Sequence, residues 1–166
     1  MTTDEARDIT KGWLNRGRSL NYELKQLTEY RKKLLEELGG GVASYEPKEI
    51  QTDSVGAQAK ADDLRLAYSE TCEKIERRFA EFAKINNETL DFIQEIEDAE
   101  QRALLTGRHV NFKPWGKVYR ELHLGRATAF RHYNGALDKI FKVLYRNNAD
   151  FRYTVDVENT QKIANC

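Results

Sequence analysis

An all-α fold follows from three observations on the 166-residue chain. Two long stretches repeat apolar residues every seven positions, a glycine triplet separates them, and only two prolines interrupt the whole sequence. Hydrophobic residues make up 40% and charged residues 33%, the balance of long amphipathic helices rather than of a sheet protein. The expected architecture is a long antiparallel, coiled-coil-like helical hairpin followed by a three-helix helix-turn-helix domain.

Residues 4–38 read as one long helix. Trp13, Leu20, Leu27 and Leu34 recur every seven positions, and Leu24 and Leu38 fill the companion seam. Thr3-Asp4, or Asp8 one turn later, supplies a capping side chain. Gly39-Gly40-Gly41 ends the helix, because three glycines carry too much backbone entropy to continue it. Residues 39–54 show no period and read as a flexible surface linker. A second helix is expected over residues 55–96, where Tyr68, Ile75 and Phe82 hold the seven-residue spacing and Cys72, Phe79 and Phe92 widen the stripe. Trp13, Leu20, Leu27, Leu34, Tyr68, Ile75 and Phe82 are thus the candidate seam for oligomerisation or a partner. Residues 4–97 form the hairpin in this reading, residues 98–146 the helix-turn-helix domain, and residues 147–166 a tail. Phe151–Val157 alternates weakly and suits a short strand or extended segment.

The chemistry-bearing stretch is residues 113–137. Trp115, Val118, Tyr119 and Leu122 fall on one helical face after Pro114, a residue suited to a helix start. Gly125 offers the backbone freedom of a turn. Ala129, Tyr133, Ala136, Ile140 and Val143/Leu144 then mark the buried side of a second helix. Arg126, Thr128 and Arg131 project elsewhere. The pattern is that of a helix-turn-helix presenting arginines to a major groove, or of a plain helical hairpin with a solvated basic face. Charge favours the first. Residues 107–152 hold ten Lys and Arg against three acids, +7, within a chain whose 27 basic and 27 acidic residues cancel. A positive segment in a neutral protein is an electrostatic footprint for phosphate backbone.

The run Ile96-Glu-Asp, Arg102, Leu105-Thr-Gly-Arg-His-Val110 and Trp115 through Leu124, with Arg126 and Ala136-Leu137, resembles region 4 of sigma factors. With the long helix opening at Trp13, the chain looks like the small sigma-region-4-like regulators of phages and prophages, akin to the ArpU and RinA late-gene regulators. The likeness covers most of residues 9–146, its sharp motifs only 96–137. It implies sequence-specific binding to double-stranded DNA in a bacterial cytoplasm, control of late or packaging genes, and contact with host RNA polymerase. Carried over by position, Arg126, Thr128, Phe130 and Arg131 read bases in the major groove, while Lys113, Lys117 and Arg120 lie along phosphates. Gly125 departs from the Ser or Thr that often caps this position, and Gly135 weakens the second helix by about 1 kcal/mol relative to Ala.

Other classes find little support. Cys72 and Cys166 make no disulfide framework, which suits a reducing compartment, and Cys72 reads as a small buried hydrophobe. No apolar run approaches a membrane span. His109, His123 and His132 match no zinc spacing; His109 and His123 read as helix-end residues and His132 as packed. No glycine-rich phosphate loop or catalytic set is visible, so neither an enzyme nor a cofactor is expected. The competing function is a coiled-coil adaptor or inhibitor, for example of RNA polymerase, with a structural helix-turn-helix.

Overall fold

The computed structural model describes residues 1–39 and 54–164, and the fold is all-α. Helices α1 (Thr3–Leu14), α2 (Arg16–Glu37), α3 (Ser54–Gln94) and α4 (Ala99–Leu105) are followed by a π-helical turn, Thr106–Val110. Then come α5 (Trp115–Glu121), α6 (Arg126–Asn147) and α7 (Ala149–Ala164). The linker expected at 39–54 lies almost wholly outside the described residues. Two compact units result: Met1–Ser19 with Ala83–Cys166, and Leu20–Phe82.

The first unit carries the main core. Trp13 and Leu14 of α1, Ile93 at the end of α3, Ile96 just beyond it, Leu105, and Tyr133, Ala136, Leu137, Ile140 and Leu144 of α6 pack together with Phe151 and Val155 of α7. Trp13 meets Phe92 and Phe151 edge-on, with ring centroids 5.3 and 6.4 Å away. Such edge contacts add to the area an indole buries. Trp13 therefore belongs to this intramolecular core and not to a partner seam. On the α1–α6 contact, Arg7 grips Asp138 with Nε and Nη2, both bonds 2.8 Å.

The single helix expected over residues 4–38 is two helices. Thr2 caps α1 in a reciprocal capping box with Glu5, so the cap precedes the positions expected to supply it. Asn15 ends α1 at φ −89°, ψ 1°, and α2 starts at the next residue. Arg16 holds the junction: its guanidinium stacks 3.8 Å over Trp13 and bonds the Trp13 carbonyl and Glu88. Glu88 also accepts from Asn148, between α6 and α7.

The tail is likewise corrected. Residues 149–164 form α7. Asn148 Oδ1 accepts the Phe151 amide at 2.9 Å, an N-cap. Phe151 and Val155, four apart, are buried, while Tyr153 is 73% exposed. A spacing of four fits both a strand's period of two and a helical turn, and the core selects the helix. Division of the chain thus differs from 4–97, 98–146 and 147–166, because α1, the end of α3 and α7 share the core of the helix-turn-helix.

In the second unit α2 and α3 are antiparallel, with Glu23 of one bonded to Arg78 of the other at 3.0 Å. Leu20 and Leu34 are buried, whereas Leu27, Tyr68, Ile75 and Phe82 are half-buried. Cys72 is half-buried too. Leu66 and Phe79 stand 59% and 60% exposed, so this face covers only part of its apolar surface.

Leu137, fully buried in the main core, tests the packing of the first unit. Leu137→Ala is expected to lower unfolding free energy by about 2–5 kcal/mol, read from urea midpoints at constant m-value.

Candidate nucleic-acid interface

A second, smaller cluster fixes the helix-turn-helix. Leu104 of α4, Val118 of α5 and Ala129 of α6 are buried together, with Trp115, Tyr119, Leu122 and Leu124 packed on them. The expected face of α5 and the expected buried side of α6 both form. The turn between them works differently from the sequence reading. Its left-handed residue is His123, at φ 54°. Gly125 is the N-cap of α6 in ordinary extended backbone, φ −66° and ψ 146°, with no capping side chain and open space where a Cβ would stand. Glycine's freedom is therefore not what this turn requires at position 125.

Packing sets the rotation of α6, and rotation sets what faces solvent. With Ala129, Tyr133, Ala136 and Leu137 inward, Arg126, Ala127 and Arg131 are exposed and Thr128 half-exposed on the first two turns. Arg126, Thr128 and Arg131 thus share the start of α6. Phe130 does not join them as a free side chain. It packs on Trp115, ring centroids 4.8 Å apart, at the edge of the main core, and an aromatic so placed is withdrawn from base reading.

The proposed phosphate-contacting residues differ among themselves. Lys117 and Arg120 are exposed, Arg120 with its Nε bonded to the Gly116 carbonyl. Lys113 is bonded to Glu121 at 2.7 Å; its ammonium holds the Glu121 carboxyl below its ordinary range. A phosphate reaching Lys113 must compete with that carboxylate.

Behind α6 lies a feature the sequence reading missed. His109 is 2% exposed. Its Nδ1 faces Asn15 Oδ1 at 3.1 Å and its Nε2 faces the Tyr133 hydroxyl at 2.9 Å. A neutral imidazole has one donor and one acceptor, which suits Nδ1–H donating to Asn15 and Nε2 accepting from Tyr133. Burial, and after it the charges of Arg108 and Arg18, push the His109 pKa down to about 3. Burial raises that of Tyr133 to about 12. The histidine sits on the π-helical turn, where Asn111 N–H bonds the Thr106 carbonyl at 3.0 Å. Within that turn Gly107 lies so close to α5 that an added Cβ would stand 3.3 Å from Val118. Nothing in the spacing of three histidines signals His109; only the tertiary pairing with Asn15 and Tyr133 does. His132 is half-buried beside Glu100, Nδ1 to Oε1 3.4 Å, and His123 is exposed.

The family model described as "Protein of unknown function (DUF1492)" matches residues 44–140. The chain belongs to that family. The match takes in α3, α4, the π-helical turn, α5 and most of α6; α1, α2 and α7 lie beyond it. No curated protein and no solved structure matches the chain. The DUF1492 segment therefore holds α5, the turn and most of α6, whereas Asn15, which bonds His109, comes from outside it.

Two outcomes are expected. Because the unfolded imidazole (pKa about 6.5) binds a proton that folded His109 refuses, stability is full above pH 6.5 and falls as pH drops toward 3. The slope is at most about 1.4 kcal/mol per pH unit. Urea midpoints at pH 7.5 and 5 should show a loss larger by about 2 kcal/mol in the wild type than in His109→Gln; equal losses would remove this assignment. Gly125→Ser, which adds a capping oxygen in open space, should raise unfolding free energy by up to about 1 kcal/mol, read as an upward shift in Tm.

Proposed function

We propose that this DUF1492 protein is a sequence-specific, non-catalytic DNA-binding regulator of transcription that places the start of α6 in the major groove. The observation that supports it is the exposed pair Arg126 and Arg131 on the first turns of α6. Neither has a carboxylate partner among the described ion pairs. The helix carrying them is anchored through its opposite side. Either arginine can bond O6 and N7 of a guanine, worth about 1–3 kcal/mol of discrimination. Thr128 stands beside them for a thymine methyl, and Lys117 and Arg120 set register along phosphates. Resemblance to sigma-region-4-like phage regulators supports late or packaging genes as the target and a bacterial cytoplasm as the setting. Consistent with that setting, no helix among the described residues is long and apolar enough to cross a membrane.

The α2–α3 hairpin gives a second reading a footing, since Leu66 and Phe79 remain exposed on it. In that reading the hairpin binds protein, RNA polymerase or a second copy of the chain, and the helix-turn-helix only supports it.

Fluorescence anisotropy with labelled fragments of the flanking genome, at two salt concentrations, separates the two. The regulator predicts one fragment bound well above the rest, with that preference lost in Arg126→Ala/Arg131→Ala. Equal weak binding to all fragments, unchanged by the double substitution, would reject base reading and turn the assignment to the hairpin.

A further inference from the structure

At the turn that joins the π-helical segment to α5 lie two guanidinium groups that face no acid among the described residues. Arg108 bonds the Lys113 carbonyl through Nη1 at 3.1 Å, and its guanidinium carbon lies 5.4 Å over the Trp115 ring. Arg18, from the start of α2, lies 5.8 Å over the Phe112 ring. Both therefore sit on the same short turn, Phe112-Lys113. Phe112 itself is held at φ 51°, a conformation that costs a non-glycine residue energy and concentrates at functional sites.

Neither arginine has a carboxylate within ion-pair distance among the described residues, although other arginines of the chain find one. Arg7 shows what such a group does with a partner: its Nε and Nη2 take both oxygens of Asp138. In Arg18 the same two nitrogens, Nε and Nη2, are buried without any acceptor. Buried donors left unmade are costly, more so on a charged group. The two arginines also repel each other: burial, and after it the charge of Arg18, holds the Arg108 pKa below its ordinary value. An oxyanion would relieve both conditions.

Position gives the oxyanion its source. Arg108 stacks on Trp115, Trp115 packs on Phe130, and the Arg126 guanidinium lies 5.9 Å over Phe130. The pair is thus two ring contacts away from the start of α6. We infer that Arg18 and Arg108 together hold a backbone phosphate of the duplex whose major groove α6 enters, so that the N-terminal segment is part of the DNA-binding surface. This inference rests on the DNA reading above. It adds a contact from a residue outside the family match, Arg18, to one inside it, Arg108.

A phosphate contact carries no base information, so its signature is salt dependence measured on a duplex of arbitrary sequence. The test uses the full chain and a labelled 40-base-pair mixed-sequence duplex, with affinity measured at several salt concentrations. Arg18→Gln and Arg108→Gln should each flatten the plot of log K against log salt by about 0.9, and the double variant by up to about 1.8. Arg18→Lys/Arg108→Lys, which keeps both charges, should hold the wild-type slope. Circular dichroism identifies any variant that fails to fold, in which case the remaining single Gln variant and the Lys pair decide. A folded Gln variant with the wild-type slope would overturn the phosphate contact alone, leaving the role of Arg126 and Arg131 standing. No duplex binding by the wild type at low salt would overturn the contact and the DNA reading together.

Discussion

The first unit is organised around one buried polar side chain. His109 joins the α1–α2 junction through Asn15, the π-helical turn through its own backbone, and α6 through Tyr133. A buried imidazole without partners would cost more than the hydrogen bonds return, so all three elements must meet in one arrangement. Apolar packing alone does not make that demand. Two hydrogen bonds on opposite sides of one ring add a directional requirement to the close packing around Leu137 and Ile140.

That constraint reaches the candidate interface through Tyr133. Tyr133 also meets Trp115 edge-on at 4.7 Å, and Trp115 belongs to both the main core and the smaller helix-turn-helix cluster. The rotation of α6 is therefore set twice, by Ala129 against Leu104 and Val118 and by Tyr133 against His109 and Trp115. The side chains on the first turns of α6 are thereby held in one orientation, as any specific contact made by them would require. The close approach of Gly107 to Val118 serves the same end by fixing the π-helical turn against α5.

How much of this was legible depended on whether one local period could express it. Trp115, Val118, Tyr119 and Leu122, and Ala129 through Leu144, follow a single helical stripe each, and both faces form where the spacing puts them. Trp13 follows the same heptad as Leu20, Leu27 and Leu34, yet the helix breaks at Asn15 and the heptad does not survive it. Gly17, two residues on, interrupts the seam in the sequence but does not place the break at position 15. Its cause is tertiary: Asn15 turns to His109, and Arg16 to Trp13 and Glu88. In α7, Phe151 and Val155 were compatible with two periods, and only the presence of a core to receive them decides between strand and helix. Phe130 fails for a related reason, since a position off the main stripe can still be covered by a neighbouring element, here Trp115.

The boundary of the family match bears on how the molecule is built. Residues 44–140 contain α5, the turn and most of α6 but not α1 or α7, which supply Trp13, Leu14, Phe151 and Val155 to the core beneath them. Those side chains cover Ile93, Leu137, Ile140 and Leu144, apolar groups that a self-contained three-helix domain would leave against water. The α1–α2 junction also brings Arg18 to the Phe112-Lys113 turn. A segment that closes the core thereby also brings a guanidinium group to that turn. Closure of the core and placement of the charge have a common origin, the break at Asn15. From that junction Asn15 reaches His109 Nδ1, Arg16 reaches Glu88, and Arg18 lies over the Phe112 ring.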